Sequence, residues 1–194
     1  MTDHAKNVDV TFTLKMSGID SLGDPHAYAR DIYGEIIYDP AGDGLALVGG
    51  SCHWLLVEIS GATVAPEEVC DAHSQEALLA YEAIESRRHW LQENLDVDEE
   101  ILIYILMELQ THVMEQFANT DVANAARDLA LRAFAGPSAS SGGLVIMHVG
   151  DSEKDATDAK KLGFVRLAMS EYYVLNPAYQ RPSYIGNPDK ESMN

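Results

Sequence analysis

Two cysteines in 194 residues are too few to staple a secreted framework, so Cys52 and Cys70 are read as reduced thiols of a cytoplasmic protein. No run approaches the roughly 20 apolar residues that span a bilayer, and no membrane association is expected. The N-terminus, MTDHAKNVDV, has neither the apolar core nor the cleavage site of a signal peptide. Positive charge is scarce. Only 13 lysines and arginines stand against 31 acids, a net charge of −18, which removes the basic face that direct nucleic-acid binding requires. The deficit is concentrated: from Glu58 to Glu100, 12 acids face 2 bases, Arg87 and Arg88. Such a surface serves solubility, or a basic partner, or mimicry of nucleic acid, and all three stay open at this point.

The apolar fraction of 46% belongs to an ordinary globular chain, and its length suits a single domain over residues 1–176. Residues 177–194 carry three prolines and no periodicity, the pattern of an extended tail. VDVTFTLKM (8–16) alternates as a strand with one wet face does. RDIYGEIIYD (30–39) and LALVGGSCHWLLVEI (45–59) read as a hairpin closed by PAGDG (40–44), with Gly49 and Gly50 marking a bulge or break. Pro66, Glu67 and Glu68 open a helix, and a second helix follows, capped by Asp71 or Ser74. ILIYILMEL (101–109) is too continuously apolar for a surface helix and reads as a central strand covered on both faces. Val122 to Phe134 has helical spacing, GLVIMHVG (143–150) is a buried strand, and the helix over 151–164 stops at Gly163. FVRLAMSEYYVLN (164–176) supplies the last strands. The order predicts an α/β domain, a mixed sheet with helices on both faces.

Between the central strand and the next helix lies QFANTDVANAA (116–126), where free N–H groups and the helix dipole suit a phosphate. A loop that seats phosphate against its backbone usually carries glycine, and this one has none. Taken with KKLGF (160–164) after GLVIMHV, with the closing FVRLAMSEYYVLNP, and with CDAHSQEALLAYEAI (70–84), the order resembles the GNAT superfamily of acyl-CoA N-acyltransferases over roughly residues 8–177. The resemblance implies a GNAT-like mixed, largely antiparallel sheet. It implies acetyl-CoA held by backbone groups along Met107–Leu109, and its diphosphate in the loop Gln116–Ala123, through Gln116, Asn119, Thr120, Asp121, Val122 and Ala123. Asn119 and Asp121 stand where the family has a glycine and a small residue, so a carboxylate meets the diphosphate. Asp121 also reads as an N-cap for its own helix.

The resemblance further points to Glu108, the acid of the central strand, as general base. Ala159 stands where the family often has its acid tyrosine, leaving Tyr172 or Tyr173 to take that part, of which Tyr173 is the choice. The implied activity is transfer of an acetyl or acyl group to an amine of a cationic small molecule or basic protein. The alternative is a catalytically silent GNAT-like fold acting as an acidic binding or inhibitory protein on a basic partner.

Other constellations are weaker. Cys52–His53 and Cys70-x-x-His73 hold the ligand types of a zinc set, but adjacent strand residues point to opposite faces, so no metal site is predicted. Asp71, His73 and Ser74 sit too close in sequence for a hydrolytic triad. Met107, Met114, Met147 and Met169 read as core filling, and His148 as a satisfied core or strand-end histidine in preference to a base.

Overall fold

A computed structural model describes residues 7–16, 23–97, 102–118, 120–135, 142–150 and 152–179 of the chain. The tail beyond residue 179 and the acids of residues 98–100 lie outside them. The strands are β1 (Val8–Met16), β2 (Ala29–Tyr38), β3 (Leu47–Glu58), β4 (Tyr104–Val113), β5 (Gly143–His148), β6 (Val165–Arg166) and β7 (Tyr172–Leu175). The helices are α1 (Pro66–His73), α2 (Gln75–Glu85), α3 (Arg88–Leu95), α4 (Val122–Phe134) and α5 (Glu153–Lys161). The described strands form one sheet in the order β1-β2-β3-β4-β5-β7-β6. Only β4 and β5 run parallel; the other neighbours are antiparallel. This is the mixed α/β sheet that the element order predicts, and it is largely antiparallel, as the resemblance implies.

The β2–β3 hairpin is set by its turn. Asp39 accepts hydrogen bonds at Oδ1 from the backbone N–H of Ala41 and Gly42 and at Oδ2 from Gly44, while Gly42 and Gly44 take the positive φ that side chains avoid. Register then follows. Ile36 faces Gly50 but Ile37 faces Val48, so Gly49 is the extra residue of a bulge, as its sequence position foretells.

Alternation along the strands builds two cores. On one face Ile32, Ile36, Trp54, Leu106 and Val145 pack beneath α4 and α5; on the other Leu55, Val57, Ile105, Met107 and Ile146 pack beneath α1, α2 and α3. Fully burying a side chain of this size stabilises by about 1.5–3 kcal/mol. α4 presents Val122, Ala125, Ala126 and Ala130 to the sheet, small residues that let it lie close. The helix ends follow local chemistry. Ser74 Oγ accepts from the N–H of Ala77 at the start of α2, and Ser152 Oγ from that of Asp155 at the start of α5. Gly163 ends α5 in the left-handed region.

Two readings need correction. α3 is a separate helix after α2, because Ser86 and Arg87 interrupt the stripe and Arg87 turns to donate to the carbonyl of Ala168. Met114 and Met169 are exposed, at 42% and 96%, so only Met107 and Met147 of the methionine set fill core. Met114 falls just past the end of β4 and Met169 in the β6–β7 turn, where no helix covers them. Among the described residues no helix is long and apolar enough to cross a membrane.

Candidate functional site

β4 pairs with β3 along most of its length, but with β5 only from Tyr104–Gly143 to Glu108–Met147. At the same point β4 bulges. Glu108 lies opposite Trp54 and Gln110 opposite His53, leaving Leu109 without a partner across the ladder. Beyond Glu108 the two parallel strands therefore part. A cavity of about 200 Å³ opens there, walled by Met107, Leu109 and Ile146, with Leu79 and Ala80 of α2 as its side. Glu76, His148 and Tyr172 supply its polar rim, and Glu108 borders it without turning its carboxylate into it.

Of the two residues expected to do chemistry, neither sits free at this notch. Glu108 turns toward α4, where Arg127 Nε donates to both carboxylate oxygens, at 2.9 and 3.1 Å. Burial works against the charge of Arg127, but Glu108, with Asp155 and Asp158 behind it, raises the guanidinium pKa further. Tyr173 is a correction. Its ring is 5% exposed and packs in the core beneath α4 and α5, because alternation on β7 sends it to the face opposite Tyr172. Tyr172 reaches the notch, and burial, with Glu171, Glu76 and Glu82 nearby, raises its pKa and keeps its proton on. His148, which the sequence reads as a core or strand-end histidine rather than a base, is at the rim. Its Nε2 lies 3.1 Å from Glu171 Oε2, and its ring meets Tyr172 edge-on at 5.2 Å.

The expected phosphate loop lies between the starts of α4 and α5. Gln116 is exposed in a short 3-10 turn, Glu115–Phe117, and Asn119 is outside the described residues. Thr120 Oγ1 donates to the carbonyl of Phe117, Val122 is buried in the core, and Ala123 is half-buried. Asp121 occupies the N-cap position but its side chain makes no capping bond, contrary to the capping expectation, because its backbone is not in the extended conformation a cap needs. Its exposed carboxylate borders a cleft of about 380 Å³ with Glu153, Lys154, Thr157, Asp158 and Lys161. Both lysines are engaged: Lys154 Nζ donates to the carbonyl of Ala118 and Lys161 Nζ to Asp158 Oδ1. Ala159 is fully buried, with no proton to offer.

A second polar cluster was only half visible in the sequence. His53 of β3 and His73 at the end of α1 both bring Nε2 to one oxygen, Asp31 Oδ1 of β2, at 2.6 and 3.0 Å. Tyr33 stacks on His53, with centroids 4.3 Å apart. The cysteines stand elsewhere. Cys52 of β3 is buried in the core under α4, and Cys70 sits on the buried side of α1 in the core on the other face of the sheet. What escaped was Asp31. The hairpin register puts Tyr33 opposite His53 and Asp31 two residues along on the same face, a diagonal within reach of an imidazole.

A further cavity of about 250 Å³ lies under α2 and α3, where Glu85 and Arg88 pair with each other over an apolar floor. No family model, curated protein or solved structure matches the chain.

Proposed function

We propose that the chain is a GNAT-like N-acyltransferase that carries an acyl group from a CoA thioester to an amine of a cationic acceptor. The observation that carries this reading is the notch where β4 and β5 part beyond Glu108 and Met147. There β4 loses its β5 partner, so its backbone can hydrogen-bond the amides of a pantetheine arm laid between the strands. The thioester then reaches the rim formed by His148 and Tyr172.

In this reading the chemistry rests on those two groups. The acceptor nitrogen attacks the thioester carbonyl; a C–N bond forms and the C–S bond breaks. His148, oriented by Glu171, takes the proton that the nitrogen loses, and Tyr172, which holds its proton, gives it to the departing thiolate. This reading gives the base to His148 rather than to Glu108, both of whose oxygens Arg127 engages. Glu76 at the rim and the net charge of −18 favour a cationic acceptor.

A specific observation favours a second reading, a catalytically silent acidic module that binds a basic protein. The loop expected to hold the diphosphate carries the Asp121 carboxylate, and the two lysines beside it are already bonded within the chain. Calorimetric titration with acetyl-CoA, followed by an assay of thiol release in the presence of a polyamine, separates the two. Submillimolar binding, with release cut about a hundredfold or more in His148→Ala, supports the transferase. A folded chain that ignores acetyl-CoA up to millimolar concentration leaves the acidic module.

A further inference from the structure

We propose that Asp31, His53 and His73 form a binding site for one divalent transition-metal ion, with an open coordination position, independent of the acyl-transfer reading. The three side chains come from β2, β3 and α1, and their ligand atoms all lie within 4.8 Å of one another. Two imidazole nitrogens and one carboxylate are the donor set of open zinc and non-haem iron sites. A tetrahedral ion with bonds of about 2.0–2.1 Å holds its donors about 3.3 Å apart. The observed separations of 2.6 and 3.0 Å from Asp31 Oδ1 need to open by well under an ångström. The two rings lie 6.3 Å apart between centroids and tilt by 48°, so they do not stack on one another.

A second observation marks the cluster as more than a structural hydrogen-bond set. Nδ1 of His73 is buried and has no partner among the described residues. It is not the nitrogen aimed at Asp31, so no hydrogen bond there fixes the ring's tautomer, and Nε2 can present its lone pair to an ion. Exposure agrees. The side chains of His53, Asp31 and His73 are 23%, 25% and 15% exposed, enough for an ion to enter and for water to take the remaining position. One carboxylate and two imidazoles complement a divalent charge, and the acidic chain as a whole concentrates cations around it. Both cysteines lie in the cores, so the set is nitrogen and oxygen only.

The test uses the full chain, stripped with a chelator, titrated with Zn(II) in a calorimeter and with Co(II) in a spectrophotometer. One saturable equivalent is expected, with Co(II) bands of a nitrogen–oxygen site and no thiolate charge-transfer band. Loss of groups that merely support metal ligands costs roughly tenfold to a hundredfold, so His53→Ala and His73→Ala should each cost at least that much. His89→Ala, on a histidine 84% exposed on α3, should change nothing. Cooperative urea unfolding without metal checks that each variant folds; His53→Gln and His73→Gln, closer in volume, replace any alanine variant that does not. The proposal is overturned by the absence of saturable binding, by a thiolate band, or by binding that survives loss of either histidine.

Discussion

Glu108 and Arg127 form a buried ion pair that ties the point where β4 leaves β5 to the middle of α4. Their side chains are 6% and 13% exposed, and Arg127 Nε reaches both carboxylate oxygens. Breaking such a pair from one side strands a charge in the core and costs about 3–5 kcal/mol, whereas replacing both partners with apolar residues is often neutral. Arg127→Met should therefore lower the urea midpoint strongly, and Glu108→Leu added to it should restore most of the loss. If Arg127→Met alone unfolds like the parent, the pair does not anchor β4 to α4.

The two thiols should be silent until the fold opens. Burial raises the Cys52 thiol to about 11, with smaller opposing contributions around it, and burial alone raises Cys70 to about 12. An unfolded cysteine ionises near 8.5. The unfolded chain thus loses these protons first as pH rises, so the thiols' contribution to stability is complete below about 8.5 and declines above it toward the folded values. A thiol reagent at pH 8 should label neither cysteine in the native protein and both in denaturant. Rapid labelling of the native chain would contradict the burial of both.

Strands and helices were legible wherever pattern and punctuation agreed. VDVTFTLKM, the Pro66 helix start and the Val122–Phe134 helix carry their own periodicity and boundaries. What could not be read was which distant residues meet. Asp31 lies 22 residues from His53 and 42 from His73, and nothing local joins them before the hairpin register and the docking of α1 do. Tyr172 and Tyr173 are neighbours of one type, and only the orientation of β7 against β5 decides which reaches the notch. The Glu108–Arg127 pair failed to register for the same reason: a strand end and a helix middle look solvent-exposed until they pack together.

Gly143 opens β5 directly beneath the ring of Tyr104, its partner across the parallel pair. A Cβ there would come within 2.2 Å of Tyr104 Cζ and 2.3 Å of its hydroxyl. Gly143→Ala must push the ring aside, an overpacking that costs about 1–3 kcal/mol and disturbs the strand pair that sets the notch. Against a Tyr104→Ala background the same change should cost little, so the two substitutions should be strongly non-additive in chemical denaturation. Additive losses would mean that the ring is not what constrains residue 143.

Asp121 offers the sharpest separation of the transferase from the acidic module. Its carboxylate does no capping and is exposed beside the cleft between α4 and α5. Asp121→Asn should therefore leave the melting temperature nearly unchanged, as surface substitutions away from such contacts do. A unit charge about 5 Å from a diphosphate costs roughly 3 kcal/mol at an effective dielectric of 20, an upper bound near a hundredfold in affinity. Exposure and salt reduce that, and a gain in acetyl-CoA affinity of about tenfold is the expected floor. S-acetylpantetheine has no diphosphate to feel the change and should bind parent and variant alike. If acetyl-CoA also fails to distinguish them, its diphosphate does not lie against α4, and the loop from Gln116 to Ala123 has no part in holding the coenzyme.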